Sequence, residues 1–321
     1  MATETRSNPS VQGSQRTPGQ SIGSTTKRRG LDEKDRFGLQ LITPAVIILC
    51  VFEIMPIAIG MNASFRNWTL YNPNGAWVGL QHYAYILKDP VFLKLVLPNT
   101  FLLILLSVSI SLCLGLALAH LLIRHFFGRV VVQTFVLLPL LIAPVIASMM
   151  VRWIFNDQFG IASAAIAALG FQPISWLAER WPSFALIVFT DIWLWTPWFT
   201  IILLAALRGL PKEPYEAARI DAAGPWRIFT HVTLPMLRPV MVVCIVVRVI
   251  DCFRTFDQVW VITGGGPARS TEVFSTYAYT EAFENLNFAR GTAAAVIGAV
   301  IIGLVSWVLY KSLNRFMEVS S

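Results

Sequence analysis

The sequence predicts an all-α integral membrane protein, a bundle of six transmembrane helices. Three observations carry that expectation. Of 321 residues, 55% are hydrophobic and 13% charged, with mean hydropathy +0.62, whereas soluble domains carry roughly 25% charged residues. The apolar residues gather into six runs near or above the roughly 20 residues that a helix needs to cross a bilayer. Lysine and arginine are divided unevenly among the connections between those runs, as in a chain that crosses a membrane several times.

Residues 1–36 are rich in Ser, Thr, Gln, Gly and Pro and end in Lys27-Arg28-Arg29 and the mixed-charge stretch Asp32 to Arg36. This composition predicts a disordered cytoplasmic tail. It is not a secretory signal, because the polar part is too long and the following apolar run exceeds the usual 7 to 15 residues. Residues 37–316 form the membrane domain, with spans at 39–61, 100–123, 130–154, 184–207, 237–261 and 292–310, and a short cytoplasmic tail follows at 317–321. Pro44, Pro56, Pro139, Pro144 and Pro197 lie within these runs and predict kinks, which a membrane bundle tolerates when neighbours satisfy the freed carbonyls. Cys50, Cys113, Cys244 and Cys252 sit in or beside apolar runs without metal-ligand spacing, so no disulfide framework and no metal site is expected.

With the amino terminus inside, the cytoplasmic connections hold 16 Lys and Arg and the opposite ones 8, with Arg248 inside a run. Both termini are therefore expected in the cytoplasm, and the net charge of +7 reports topology and no nucleic-acid partner. The chain is not expected to be an enzyme. Gly264-Gly265-Gly266-Pro267 lacks the Lys-Ser/Thr of a phosphate loop, and His82, His120, His125 and His231 are scattered, without a nucleophile elbow or a metalloprotease helix.

The connection 208–238 is organised. Pro214 suits a helix start, Glu216 to Ala223 is a strong helix former, Gly224-Pro225 stops it, and Trp226 to Val232 can form a second short helix before Pro235. Tyr215, Ala218, Ile220 and Ala222 give a small apolar face beside polar Glu216, Arg219 and Asp221. On these residues alone the loop either folds back on its own bundle or offers Tyr215 and Trp226 as aromatic anchors, with Glu216 as a fixed charge, to a partner groove.

Glu216-Ala217-Ala218, Asp221 and Leu234-Pro235 resemble the EAA loop of permease subunits of ATP-binding-cassette importers, in its carbohydrate-importer version. The usual glycine position is Ala222 here, with Gly224 two places later, and Val232 stands where Ile is common. The resemblance runs from about Leu39 to Phe316. Val78-Gly79-Leu80-Gln81-His82-Tyr83 with Asp89-Pro90-Val91-Phe92 is similar to the first external loop of sugar permeases, and Pro139 to Asn156 with Gly160 to their third span. Phe256 to Pro267, Thr271-Glu272 and Tyr279 to Phe283 resemble their fifth span and last external loop.

The resemblance implies the six-helix bundle of a type I importer permease of the maltose and glycerol-phosphate group, in a bacterial inner membrane. It implies a coupling loop formed by Tyr215, Glu216, Ala217, Ala218, Asp221, Gly224, Trp226, Leu234 and Pro235, docked on an ATPase. It also implies partners: a second, homologous permease subunit, two ATPase subunits that use ATP and magnesium, and an extracytoplasmic solute-binding protein. This chain itself binds no cofactor. The rival classes are an ion-coupled secondary transporter, which would carry more spans with a repeated half, and a membrane scaffold without transport. Within the importer class, a glycerol-phosphate solute is the alternative to a sugar, disaccharide or polyol.

Ionisable groups inside spans are costly and therefore functional candidates. Arg248, Asp251, Arg254 and Asp257 recur every three residues in the fifth run, a spacing that puts neighbours on one helical face. They form either a structural ladder of ion pairs, a lining of the substrate path, or both. Asp191, Trp193, Trp195, Thr196 and Trp198 crowd the fourth run beside Pro197. Tryptophan faces and carboxylates suit polyhydroxylated ligands, and an interfacial aromatic belt is the other reading.

Overall fold

The computed structural model describes residues 33–69, 71–72, 75–172 and 174–318, with side chains from 40 to 311. The chain divides into two compact units, residues 1–55 and 56–321. Within the first, α1 (Glu33–Leu49) starts inside the segment expected to be a tail, continues through Pro44 and passes into a π turn at Cys50–Ile54. Expected residues 1–32 of that tail lie outside the described residues.

Helix α2 (Met55–Ser64) starts at the last residue of the first unit and continues into the second, so the first apolar stretch is helical over Gln40–Ser64. A loop closed by bridges between Arg66 and Trp77 and between Thr69 and Asn72 leads to the short α3 (Gln81–Ile86). A π turn at Phe92–Val96 then enters α4 (Leu97–Leu122). Next come α5 (Arg129–Leu137), a 3-10 turn at Leu138–Leu141, α6 (Pro144–Ile154) and α7 (Ile161–Ala168). The long α8 (Arg180–Arg208) holds Pro197 without interruption. Beyond it lie α9 (Glu213–Ile220), α10 (Pro225–Ile228), a π turn at Phe229–Thr233 and α11 (Leu234–Phe253). The chain closes with α12 (Asp257–Ile262), α13 (Phe274–Tyr279), a π turn at Thr280–Glu284 and α14 (Phe288–Glu318).

Among the described residues four helical stretches are long and apolar enough to cross a membrane: Gln40–Ser64, Phe92–Leu122, Arg180–Arg208 and Phe288–Lys311. The third run, expected as a kinked helix over 130–154, is instead two pieces, Arg129–Leu141 and Pro144–Ile154, bent by 98°. Pro139 sits in the 3-10 turn and Ala143, before Pro144, is extended, the conformation that a following proline imposes. The fifth run is not one helix over 237–261 either. Helix α11 stops at Phe253, and α12 begins afresh at Asp257.

The core sits between α4 and α8, the most extensive helix pairing in the chain. Ser107, Ser111, Gly115 and Ala119 recur every four residues on α4 and are all buried. A side-chain carbon on Gly115 would lie 2.5 Å from Phe199 Cβ and 3.2 Å from the α8 backbone. Small residues at this spacing let membrane helices approach closely. Phe92, Leu103, Leu203 and Tyr277 fill the space around the pair.

Candidate functional site

Two places combine charge and aromatic surface: a polar node within the bundle and the loop at the end of α8. In the node, α8 supplies Asp191 and α11 supplies Arg248, both completely buried and paired with each other. The same guanidinium donates to Asp251 Oδ2 at 2.7 Å, one turn along α11. Gln258 Nε2, on α12, lies 3.5 Å from Asp191 Oδ1. Trp195, one turn beyond Asp191, places its ring 4.5 Å from the guanidinium carbon. Desolvating an ion pair consumes much of its Coulomb attraction, so the second carboxylate and the indole face matter to Arg248. Two carboxylates thus share one guanidinium, and the Asp251 side chain remains 44% exposed.

The four-residue ladder expected along the fifth run is therefore a single pair, Arg248 and Asp251. Arg254 caps the end of α11, exposed and without an ion pair among the described residues, and Asp257 lies in the first turn of the next helix. No Pro or Gly marks the break. It is held from outside, by Ser275 Oγ donating to the Thr255 carbonyl. The tryptophans also separate. Asp191, Trp195 and Trp198 share a face at spacings of four and three, and both tryptophans are half-buried. Trp193 points to the other side of α8, into a groove with Leu114, Leu118, Phe135 and Pro139, and is not part of the node.

At the end of α8, Pro214 lies in the first turn of α9 and Glu213 and Glu216 stand where the helix dipole favours acids. The Tyr215 hydroxyl donates to Thr233 Oγ1 at 3.1 Å, tying α9 to the π turn. Glu216, Ala217, Asp221 and Trp226 are exposed, the last by 75%, while Tyr215 and Ala218 are half-buried. Ile220, expected on the apolar face, is 85% exposed and adds to the outward surface. Helix α9 closes with the Ala223 N–H on the Ala218 carbonyl at 2.9 Å and the Ala222 N–H on the Arg219 carbonyl at 3.0 Å, the Schellman arrangement. It requires a left-handed residue, and Ala222 takes that role at φ +54°. Gly224 is extended at φ −67° and serves as the N-cap of α10.

The second loop helix does not end before Pro235. α10, the π turn and α11 abut with helical dihedrals throughout, and the Leu234 N–H reaches the Phe229 carbonyl five residues back. Leu234 and Pro235 are consequently half-buried members of the first turn of α11 and not a boundary. A cleft of about 900 Å³ opens between α9 and the ends of α4, α5 and α8.

Sequence reasoning missed a polar clasp at the opposite ends of these helices. Asn99 Nδ2 donates to the carbonyls of Ser270 at 2.8 Å and Glu272 at 3.0 Å, and Asn99 Oδ1 accepts from Arg180 Nη2 at 3.1 Å. Arg269 holds Glu272 with two bonds of 2.6 and 3.1 Å, and the Tyr277 hydroxyl donates to Asp89 at 2.8 Å. Burial pushes the Glu272 carboxyl above the usual carboxylate range, against the opposing pull of Arg269. A single asparagine at the mouth of an otherwise apolar run was the available signal for this clasp.

A bundle of broken and unbroken spanning helices around a buried charge pair, with a structured loop between two spans, defines a membrane transport subunit. Its fold matches chains of a bacterial ABC transporter that imports the polysaccharide alginate. One comes from a complex with an alginate pentasaccharide-bound periplasmic protein (TM-score 0.77, 22% identity, 88% of this chain and 96% of that one). A second alginate importer structure gives a TM-score of 0.78 with the same identity and coverage. Residues 111–319 match the family described as binding-protein-dependent transport system inner membrane component, and the chain belongs to that family. Its relatives include a trehalose/maltose transport system permease protein from Thermococcus litoralis, 32% identical over 88% of this chain and 94% of the relative. Another is a sulfoquinovosyl glycerol transport system permease protein from Agrobacterium fabrum, 32% identical over 84% and 88%.

Proposed function

We propose that this chain is one permease subunit of an ATP-driven carbohydrate importer of the bacterial inner membrane, with both termini in the cytoplasm. The observation that carries the substrate class is the node: Asp251 is a half-exposed carboxylate suited to hydroxyls, and it stands with the half-buried indoles Trp195 and Trp198, the residue type that suits sugar C–H surfaces. The names of the relatives, which concern trehalose, maltose and a sugar glycerol conjugate, support the same class. The proposed partners are a second, related permease subunit, a pair of ATPase subunits that bind ATP and magnesium, and an extracytoplasmic solute-binding protein. This chain performs no chemistry.

In the proposed mechanism the ATPase pair grips α9 and α10, with exposed Glu216, which also lines the cleft beside α9, as its charged contact and Trp226 as its aromatic one. ATP-driven closure displaces α9. The Tyr215–Thr233 bond passes the displacement to an uninterrupted helical stretch, 225–253, that carries Arg248 and Asp251 at its far end. Loop motion thus reaches the node along one continuous helical stretch, and the node alternates its access between the two sides.

The test is uptake and substrate-stimulated ATP hydrolysis by the assembled transporter. Glu216→Lys is expected to abolish uptake while the subunit still inserts. Asp251→Asn and Trp195→Ala are expected to lower uptake on the order of tenfold, the loss of one good polar or aromatic contact, with assembly intact. Wild-type transport in Glu216→Lys overturns the coupling role, and wild-type transport in both node variants overturns the substrate path.

A further inference from the structure

Lysines and arginines between membrane spans ordinarily do no more than fix orientation. Four of them converge here on the cleft beside α9: Arg129 in the first turn of α5, Arg208 at the last residue of α8, Lys212 at the N-cap of α9, and Arg219 on α9. None of the four forms an ion pair among the described residues. Glu216 is the single carboxylate on the wall, so the concavity has an excess of three positive charges before its histidines are counted. Ile123, Leu207 and Leu210 line the same cleft where α4 and α8 finish. Apolar and cationic side chains lining one cleft, at the level where apolar helices give way to polar loop, make the surface of a site for an amphiphile with an anionic head. A free phosphate ester would have no use for the apolar part. Basic pockets of this kind between spanning helices bind anionic lipid headgroups.

We propose that this cleft binds the phosphodiester headgroup of an anionic phospholipid, held between the ends of α4, α5 and α8 and the loop helix α9. The leaflet is cytoplasmic, which rests on the orientation proposed above. Arg208 and Lys212 lie on either side of the turn between α8 and α9, so the bound headgroup bridges the membrane bundle and the loop and steadies the wall that carries Glu216.

The experiment measures phosphatidylglycerol retained by the assembled transporter, by native mass spectrometry after release from vesicles of equal phosphatidylglycerol and phosphatidylcholine. Each cation near a membrane surface changes lipid affinity about fivefold, so Arg129→Gln with Arg208→Gln is expected to lower retention on the order of twentyfold. The charge-keeping pair Arg129→Lys with Arg208→Lys, and Arg124→Gln outside the cleft, are expected to retain the lipid as the unaltered protein does. Unchanged retention in the double glutamine variant overturns the site, as does equal retention of phosphatidylcholine. Displacement of the lipid by millimolar inorganic phosphate alone assigns the cleft to a soluble phosphate ester and overturns the lipid. Impermeant-reagent labelling of the loop reads orientation separately: cation-dependent retention with a loop exposed outside keeps the site and refutes the leaflet.

Discussion

Ala222 shows how much one residue adds to a loop whose motif is otherwise readable. The family pattern puts a glycine at this place, and the α9 terminus needs one, because the backbone there is left-handed at φ +54°. A β-carbon in that region costs about 1 kcal/mol. Ala222→Gly removes that strain and returns part of the gain through the freer unfolded chain, so a stabilisation of about 0.5 kcal/mol is expected. It should appear as a small upward shift in the thermal midpoint of the purified transporter, with uptake retained. Gly224→Ala is expected to leave the midpoint unchanged, since its backbone is extended and nothing lies within 4 Å of the added carbon. A larger response at 224 than at 222 would refute the assignment of the turn. The residue identities of the loop were legible in the sequence; which residue carried the turn was not, because Gly224 is the more obvious candidate and only the dihedrals distinguish the two. The same holds for Asp191 and Arg248. Each was readable as a costly intramembrane charge, but their pairing joins residues 57 positions apart on different helices.

Among the elements, α4 and α8 depend on close approach. The stripe of Ser107, Ser111, Gly115 and Ala119 has no large side chain to bury, and without a hydrophobic driving force between spans its contribution is the packing that proximity permits. Gly115→Val inserts atoms where Phe199 Cβ and the backbone at Thr200 already stand, an overpacking expected to cost about 2 kcal/mol. The predicted result is a thermal midpoint several degrees lower and less assembled transporter in the membrane. Ser111→Ala keeps the small volume and removes a buried hydroxyl that has no hydrogen-bond partner, so it is expected to match the unaltered protein. A Gly115→Val protein with an unaltered midpoint would mean that α4 and α8 separate without loss. Helix content was well legible, since each of the six apolar runs is mostly helical. Element continuity was less so. Prolines correctly marked the trouble in the third run, yet Pro197 and Pro235 sit inside uninterrupted helix, and the break after Phe253 has no Pro or Gly at all. Breaks made by a tertiary bond, such as the one from Ser275 to Thr255, leave no local trace in the sequence.

For the whole molecule, the apolar runs and the charges between them make one topological statement. Among the described residues four stretches are long and apolar enough to cross, the bent pair is a fifth if it counts as one span, and the proposed topology takes α11 as the sixth although Arg238, Arg248 and Asp251 lie within its 20 residues. At about 1.5 Å per residue, 20 residues reach roughly 30 Å, enough for the hydrocarbon core. Its buried arginine is tolerable because Asp191 and Asp251 meet it inside the bundle and not in lipid. In the proposed topology of six crossings both termini share a side, and the twofold excess of Lys and Arg assigned to that side is the argument for the cytoplasm. The proposed coupling mechanism and the lipid site both need the loop 208–238 on that same side. Single cysteines introduced at Tyr71 and at Trp226, in a chain otherwise freed of cysteine, test this directly, because the two side chains are 84% and 75% exposed and fall on opposite faces of the predicted topology. Intact cells treated with a membrane-impermeant maleimide are expected to label Tyr71→Cys and to spare Trp226→Cys until the inner membrane is permeabilised. The reverse pattern would invert the chain and take the ATPase surface away from ATP, and labelling of both in intact cells would mean that the number of crossings between residues 71 and 226 is even and not odd.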